Sequence, residues 1–325
     1  DVTINMASKL ILDGSTLVDV PFFLFPPFTF VDQRTDSKFQ PAVTLEWRPR
    51  QGAMLYASYK EGFKSGGYDQ DSVTMPASGT LAFRPEQARS YELGAKLTFL
   101  DGAARLNMTV FQSDFRDLQV SVFTGTIGFI TSNAARARSR GLELDGAWAA
   151  TNNLTLSADL TRLDAHYTDY AGAACYTGQP VATGACVEVT PGQFAQDMSG
   201  ATLQFAPTWS GNLGIEYHRP LDVSLFGSNL KLSTRIDGFF TDKYTTGVDR
   251  DPLKAQKGFG KLDARIALAS QDDRWQLALI GRDLTDEYTT HWVENAVMGP
   301  FATGAAYQAF LDRTRQIALQ FGVKL

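Results

Sequence analysis

The sequence has few cysteines, few histidines and no long apolar run. Its 325 residues include two Cys and three His. No stretch approaches 18 uninterrupted apolar residues, which excludes a bundle of membrane-spanning helices and leaves a β-barrel as the form a membrane protein would take. Basic residues (30) are outnumbered by acidic ones (35). The chain therefore lacks the basic excess that phosphate-backbone binding needs, and we expect no nucleic-acid partner.

Reactive side chains are too scattered to predict an enzyme. The three histidines, His166, His218 and His291, are isolated and lack metal-site spacing. No Gly-x-Ser-x-Gly elbow, Walker loop or Rossmann glycine pattern occurs. Four carboxylates could supply a glycosidase pair, but a hydrated lumen explains them as well, because all fall on the polar side of predicted strands. They are Glu92, Glu143, Asp145 and Asp159. The sequence thus predicts no catalytic residue, no cofactor and no metal.

Alternation of apolar and polar residues is what the sequence has in abundance. From Tyr91 to Phe99, every second residue is apolar, and the same period recurs as far as residues 317–325. Such alternation is typical of antiparallel strands with one apolar face. We expect an all-β fold, an antiparallel transmembrane β-barrel, with about 12 strands here. The first strand is expected within residues 1–12 and the last ends at Leu325.

The connections between these segments alternate between short and long. Short turns are predicted at residues 49–52, 101–102, 151–153 and 271–273. Long loops are predicted at residues 62–86, 122–134, 169–206, 245–257 and 288–312. Short turns at one rim and long loops at the other are the layout of outer-membrane barrels.

The alternation also predicts which side chains face lipid and which face the lumen. The lipid-facing set comprises Leu93, Leu97, Leu156, Leu277, Leu279 and Leu319, and the lumen-facing set comprises Lys96, Asp159 and Gln320. Between Leu106 and Phe115 the apolar residues change parity, which predicts a bulge.

Several segments resemble the C-terminal barrel of TonB-dependent outer-membrane receptors. The most specific is MLYASYKEGFKSGGYD at 54–69, followed in order by RPEQARSYELGAK at 84–96 and NMTVFQSDFRDLQV at 107–120. Further matches are SNAARARSRGLELD at 132–145, APTWSGNLGIEY at 206–217 and GRDLTDEY at 281–288. The chain departs from the family pattern at Asp283, where Asn is usual, and at Leu325, where an aromatic residue is usual.

The resemblance implies a function and a domain organisation. Residues 1–325 would be the C-terminal part of a family-typical barrel of about 22 strands, with the plug domain and the TonB box absent. The function implied is TonB-dependent uptake of a siderophore-type or similar bulky nutrient across the outer membrane of a Gram-negative bacterium. The TonB complex would act through the missing plug. Two alternatives stay open, a passive porin-like barrel and a soluble all-β carbohydrate-binding or hydrolytic protein.

Two further predictions concern the loop side of the barrel. Cys175 and Cys186 lie in one long loop and are predicted to form a disulfide, with two reduced thiols as the alternative. Arg136, Arg138 and Arg140 share a parity with Leu142 and lie above the expected apolar band. They are candidates for contact with lipopolysaccharide phosphates, because a guanidinium binds phosphate in a bidentate manner; a solvated strand extension is the alternative.

Overall fold

The protein is described by a computed structural model. It describes residues 2–5, 9–11, 17–19, 29–69, 81–123, 129–182, 185–190, 193–225, 227–296 and 306–324. These residues form antiparallel strands and one short 3-10 helix, Pro252–Lys254. No helix within these ranges is long and apolar enough to cross a membrane. Leu325, the unusual terminal residue, lies outside the described residues.

The strands are numbered in chain order. The first twelve are β1 (Val2–Asn5), β2 (Lys9–Ile11), β3 (Leu17–Asp19), β4 (Thr29–Asp32), β5 (Ala42–Arg50), β6 (Ala53–Lys64), β7 (Gly67–Tyr68), β8 (Ala82–Phe83), β9 (Glu86–Phe99), β10 (Ala104–Phe123), β11 (Phe129–Ala149) and β12 (Leu154–Asp169). The others are β13 (Ala173–Ala174), β14 (Cys186–Thr190), β15 (Gln193–Gln196), β16 (Trp209–Leu225), β17 (Ser228–Thr241), β18 (Tyr244–Thr245), β19 (Ala255–Gln256), β20 (Phe259–Ser270), β21 (Trp275–Arg282), β22 (Thr290–Asn295), β23 (Tyr307–Leu311) and β24 (Gln316–Val323).

Eleven of these strands form one antiparallel sheet in chain order. The order is β5-β6-β9-β10-β11-β12-β16-β17-β20-β21-β24. Within the described ranges, β5 and β24 each pair on one side only, so they form the edges of the sheet. The expected fold class is confirmed, and a strand does begin within residues 1–12, but it is not part of the main sheet. Val2–Asn5 pairs with Thr29–Asp32 in a separate small sheet, and the main sheet begins at Ala42, where clear alternation begins.

The two ends of the main sheet differ as the sequence predicts. One end has tight turns, such as the turn at Gly52, whose φ of 77° and proximity to the Thr98 carbonyl leave no room for a Cβ. The other end carries small two- and three-stranded sheets built from the long connections. The predicted loop at 122–134 is wrong, because β10 continues to Phe123 and β11 begins at Phe129. Cross-strand pairing as far as Phe123 and Phe129 continues both strands into residues that the sequence composition assigns to a loop.

The register separates the two faces of the sheet and confirms the predicted parity. Leu93 lies opposite Val110, which lies opposite Leu142, and this apolar face continues across every strand to Leu319 beside Leu279. All six leucines predicted to face lipid share it. Leu93 is 63% exposed and Leu319 is 72% exposed. Because a soluble monomer rarely exposes so large an apolar surface, this face fits contact with lipid.

The opposite face is polar and carries the residues predicted to line a lumen. Lys96 pairs with Asn107, Asp159 lies between Asp145 and Asn212, and Gln320 lies on the same side. The predicted bulge between Leu106 and Phe115 is wrong, since the register runs unbroken there. Phe111 instead lies on the polar face and its ring covers Gly141, where a Cβ would come within 3.0 Å of the ring. A glycine that admits an aromatic ring thus explains the change of parity.

The apolar cluster of buried side chains lies at the long-loop end of the sheet. It joins the ends of β10, β11 and β12 to the connection that follows β12. Its members are Val120, Ala137, Tyr167, Tyr170, Ala173, Met198 and Ala201. The sheet itself packs no second layer among the described residues, so this cluster anchors the loops to the strands.

Candidate functional site

The connection between β12 and β16 folds back onto the strand end that it leaves. Tyr167 and Tyr170 pack with their ring centroids 5.0 Å apart, and Met198 is 1% exposed beside them. Backbone hydrogen bonds hold the returning segment against the end of β12. Gly200 N donates to Tyr167 O at 2.7 Å, and Met198 N donates to Tyr170 O at 2.8 Å. The segment is therefore held to the strands by burial and by hydrogen bonds together.

The same connection contains the two cysteines. Cys175 and Cys186 lie within bonding distance in the structure, with Cα atoms 5.8 Å apart, and β14 pairs with β15 beside them. Gln196, in β15, links this segment to a second loop, because its Nε2 donates to Ala174 O at 2.9 Å and to Asp249 O at 2.8 Å.

A buried lysine connects the second long loop of this site, between β17 and β20, to the third, between β21 and β24; the first is the connection between β12 and β16. Lys254 Nζ donates to Asp249 Oδ2 at 2.6 Å and to Asn295 Oδ1 at 2.6 Å. The Lys254 and Asp249 side chains are only 7% and 10% exposed. Asn295 in turn donates to Thr177 Oγ1 at 3.3 Å, so the connection between β12 and β16 joins the same hydrogen-bond network. A buried charge needs such partners, since an unpaired one costs several kcal/mol.

A short helical turn positions this lysine. Asp251 is its N-cap, accepting a hydrogen bond from Leu253 N at 2.9 Å, and Pro252 follows it directly. Tyr307, in the third loop, donates its hydroxyl to the other carboxylate oxygen of Asp251 at 2.6 Å. Burial, together with this bond to a carboxylate, raises the pKa of the Tyr307 phenol. The phenol therefore stays protonated and continues to donate.

A cavity of about 310 Å³ lies among these loops. Its wall combines apolar and hydrogen-bonding side chains, including those of Val120, Tyr167, Thr177, Lys254, Trp292 and Asn295. Trp292 also packs on Phe205 with centroids 5.5 Å apart, and Phe205 contacts Tyr244 at 6.0 Å. Apolar walls with a few convergent polar groups are typical of small-molecule sites, and this volume lies at the small end of their range.

The third loop also reaches the polar face of the sheet. Lys261, on that face, donates to Thr289 Oγ1 at 2.7 Å and lies 3.4 Å from Asp312 and 3.8 Å from Asp283. The loop layer and the polar face therefore share one network of contacts. A ligand that enters among the loops would next meet this polar wall.

The carboxylates considered for catalysis do not converge on the cavity. Asp145 and Asp159 are direct cross-strand neighbours, and Asn107 donates to Asp145 at 2.6 Å. Glu92 contacts Ser58 at 3.3 Å and Lys60 at 3.5 Å, and Glu143 lies opposite Thr161. Across the described residues, no group of three or more His, Cys, Asp or Glu side chains could hold a metal ion.

The three histidines occupy separate places and have local partners. His166 Nδ1 lies 2.8 Å from Asp164, and His291 Nδ1 lies 4.0 Å from Asp312. His218 lies between Glu216 at 2.9 Å and Ser233 at 3.0 Å, near the short-turn end. None of them lines the loop cavity.

Arg136, Arg138 and Arg140 lie on the same face of β11 as Leu142, nearer the long-loop end, as their spacing in the sequence predicts. Arg138 Nε is 2.6 Å from Asp114, and a guanidinium nitrogen of Arg140 is 2.9 Å from Asp164. Arg136 lies opposite Arg116. The sequence did not predict that Asp114 and Asp164 would pair with these arginines, because the acids lie on neighbouring strands whose register the sequence does not specify.

Sequence reasoning missed the residues that build the cavity. Lys254, Asp249 and Asn295 come from separate loops, and their contact is visible only once the loops are folded. One local signal was available, since Asp251 followed by Pro252 is the pattern of a capped helical start. That signal predicts the turn but not the partners of Lys254.

Comparison with known proteins identifies the family. The family model described as TonB dependent receptor-like, beta-barrel matches residues 19–284. The probable TonB-dependent siderophore receptor PiuA of Acinetobacter baumannii is 26% identical over 145 residues, 43% of this chain and 18% of that protein. The metal-pseudopaline receptor CntO of Pseudomonas aeruginosa is 29% identical over 137 residues, 42% of this chain and 18% of that protein. The matched part thus spans less than a fifth of each relative.

Solved structures share the fold over most of the chain. The ferric yersiniabactin uptake receptor FyuA from Yersinia pestis matches 91% of this chain and 38% of its own, with 15% identity and a TM-score of 0.67. The ferric-catecholate import receptor Fiu from Escherichia coli K12 matches 98% of this chain and 40% of its own, with 16% identity and a TM-score of 0.64. Together with the apolar and polar faces of the sheet, the match over residues 19–284 shows that the chain belongs to the TonB-dependent receptor family, within its β-barrel domain.

Proposed function

We propose that this chain is part of the barrel of an outer-membrane receptor that imports a siderophore-type or similarly bulky nutrient by TonB-dependent transport. The observation that carries the proposal is the loop cavity at the long-loop end of a sheet with one apolar and one polar face. The apolar face would contact outer-membrane lipid, including lipopolysaccharide. The polar face would line the passage, in the outer membrane of a Gram-negative bacterium.

The ligand class is supported by the relatives and by the cavity. PiuA is a probable siderophore receptor, and FyuA takes up ferric yersiniabactin. A cavity of about 310 Å³ would hold one portion of such a ligand. Trp292 and Tyr167 offer aromatic surface for stacking, and Asn295 and Thr177 offer hydrogen bonds, while the loops would exclude bulk water around the bound portion.

The rest of the receptor is proposed to supply the energy coupling. In this proposal residues 1–325 are the C-terminal part of a larger barrel, and β5 and β24 pair with its remaining strands, because an unpaired strand edge in lipid costs several kcal/mol per group. The plug and the TonB-contacting segment would belong to the other part, outside this chain. The chain itself would bind and conduct, with no catalytic step.

The experiment measures uptake of a panel of radiolabelled ferric siderophores, haem, cobalamin and oligosaccharides by cells that make the full-length receptor. Trp292→Ala should raise the half-saturating concentration of the transported ligand about tenfold, the size of one lost aromatic contact. Leu253→Ala is the matched control, since Leu253 is 65% exposed and lies outside the cavity lining. Equal effects of the two substitutions, or no uptake of any compound, would contradict the proposed site.

A further inference from the structure

On the long-loop side, the apolar face of β6 and β9 ends in a pair of tyrosines. Tyr59 and Tyr91 are cross-strand neighbours with ring centroids 5.2 Å apart, and Tyr91 is 48% exposed. Below them the face is apolar down to Phe99, about 26 Å along the strand at ~3.3 Å per residue. At a strand tilt of about 40° this is roughly 20 Å of height, comparable with the apolar band of membrane barrels. The tyrosines therefore mark the level where headgroups replace acyl chains.

The row two residues above the tyrosines has paired charges. Arg89 lies 3.2 Å from Glu61, and Arg138 lies 2.6 Å from Asp114. Within the register, Glu61, Arg89, Asp114 and Arg138 follow one another across four strands, so charges of opposite sign alternate. These arginines already have carboxylate partners.

The next row up is different, because its cations have no such partners among the residues that the structure describes. Arg116 lies directly between Gln87 and Arg136 in the sheet. Across the ranges that the structure describes, neither Arg116 nor Arg136 has a carboxylate oxygen within 4.0 Å, and both are exposed. Asp169 lies opposite Arg136 at a register shift but forms no such ion pair. Two like charges opposite each other destabilise a strand pair unless a counterion lies between them.

A third cation reaches the same row from the segment before β5. Lys38 Nζ donates to Gln87 Oε1 at 3.1 Å. These side chains line a groove of about 440 Å³ in which cations outnumber carboxylates. Its charged lining residues are Lys38, Arg89, Arg116, Arg136, Arg138, Glu61 and Asp114.

We propose that this groove binds a phosphate group of lipopolysaccharide, with Arg116 and Arg136 as the main ligands and Lys38 as the third. Two neighbouring guanidinium groups can each donate two hydrogen bonds to phosphate oxygens, and the groove has room for the sugar that carries the phosphate. Its place two rows above the tyrosine pair, on the headgroup side of the apolar band, is where a lipid phosphate lies. The proposal rests on the outer-membrane location proposed above.

This site differs from the one that the sequence pattern suggested. Arg138 and Arg140 are engaged by Asp114 and Asp164, so their guanidinium groups are less available to a phosphate. Arg136 remains, and the register adds Arg116 while the segment before β5 adds Lys38. The three come from separate parts of the sequence.

The test measures lipopolysaccharide bound to the full-length receptor, purified in detergent, by native mass spectrometry and by titration with fluorescent lipopolysaccharide. The double variant Arg116→Gln with Arg136→Gln should weaken binding about tenfold or more, because two charge-assisted contacts are lost. Arg219→Gln is the control, since Arg219 is exposed on the same face at the opposite rim. Dephosphorylated lipopolysaccharide should bind the unmodified receptor as weakly as intact lipopolysaccharide binds the double variant.

Each other outcome contradicts the proposal. Unchanged binding by the double variant, an equal loss with Arg219→Gln, or equal binding of dephosphorylated lipopolysaccharide would exclude phosphate recognition in this groove. Full displacement by millimolar inorganic phosphate would identify a free-phosphate site instead, and equal binding of phosphatidylglycerol vesicles would identify a general anionic surface. Uptake by the same variants separates the two proposals: loss of TonB dependence contradicts the proposed function, whereas unchanged lipopolysaccharide binding contradicts only this inference.

Discussion

Replacing Lys254 by Met should loosen the loop layer without unfolding the sheet. The substitution keeps the length of the side chain but removes a cation that lies 2.6 Å from both Asp249 Oδ2 and Asn295 Oδ1. Asp249, 10% exposed, would then be a buried carboxylate without its counterion. Breaking a buried pair in this way costs about 3 to 5 kcal/mol. The cost falls on the loops, because the three segments that meet here are separate from the main-sheet ladder.

Hydrogen–deuterium exchange of the full-length receptor measures this local free energy. In the Lys254→Met variant, peptides from β18, β19 and β22 should lose protection by about a hundredfold or more, whereas peptides from β10 and β11 should keep theirs. Lys257→Met is the matched control, since Lys257 is exposed and has no acidic partner within 4.0 Å among the described residues. It should leave exchange unchanged.

A second substitution tests the reason for the loss. Adding Asp249→Asn to Lys254→Met removes the stranded charge, so much of the protection should return. Exchange in the double variant as fast as in Lys254→Met alone, or the same behaviour of Lys254→Met and Lys257→Met, would show that the loss of the buried ion pair is not the cause.

Three further predictions concern the loop disulfide, the two faces and one glycine. Thiol titration of the denatured, unreduced protein should find no free thiol, and removing the disulfide should cost about 2 to 4 kcal/mol of loop stability; two free thiols would refute the pairing. Leu319→Arg should cost about 2 to 4 kcal/mol in a bilayer unfolding assay, whereas Gln320→Arg, one residue along on the other face, should cost little; equal costs would refute the face assignment. Gly141→Ala should destabilise by about 1 to 3 kcal/mol because its Cβ would overlap the backbone carbonyl oxygen of Arg162 and press on the Phe111 ring, while Gly146→Ala in the same strand, with its nearest neighbour at 3.7 Å, should not; denaturant midpoints compare them.

The faces of the sheet were predictable from sequence because a strand repeats every two residues. Leu93 and Lys96 have opposite parity, and any antiparallel pairing that buries one apolar face places them on opposite sides. Positions where an apolar side chain lies on the polar face were less predictable. The register places Phe111 on the polar face, where Gly141 opposite leaves room for its ring, and a single strand taken alone shows this as a break in the pattern.

Strand limits and loop contacts depend on information that local pattern does not contain. The hairpin of β10 and β11 extends to Phe123 and Phe129 because each residue gains a cross-strand partner, although glycines at its tip suggest a loop. The contact of Lys254 with Asn295 spans 41 residues, and that of Asn295 with Thr177 spans 118 residues. No period or motif predicts which loops meet over such separations.

Uptake with and without TonB tests the central claim most directly. Cells that make the full-length receptor should accumulate a labelled ferric siderophore or other panel ligand only when TonB and the proton-motive force are present. Cells that make residues 1–325 alone should show no energised uptake, because in the proposed arrangement these residues are one part of the barrel and the plug belongs to the other part, so they could at most leak. TonB-independent accumulation by the full-length receptor, or TonB-dependent accumulation by residues 1–325 alone, would contradict the account and favour a self-contained channel.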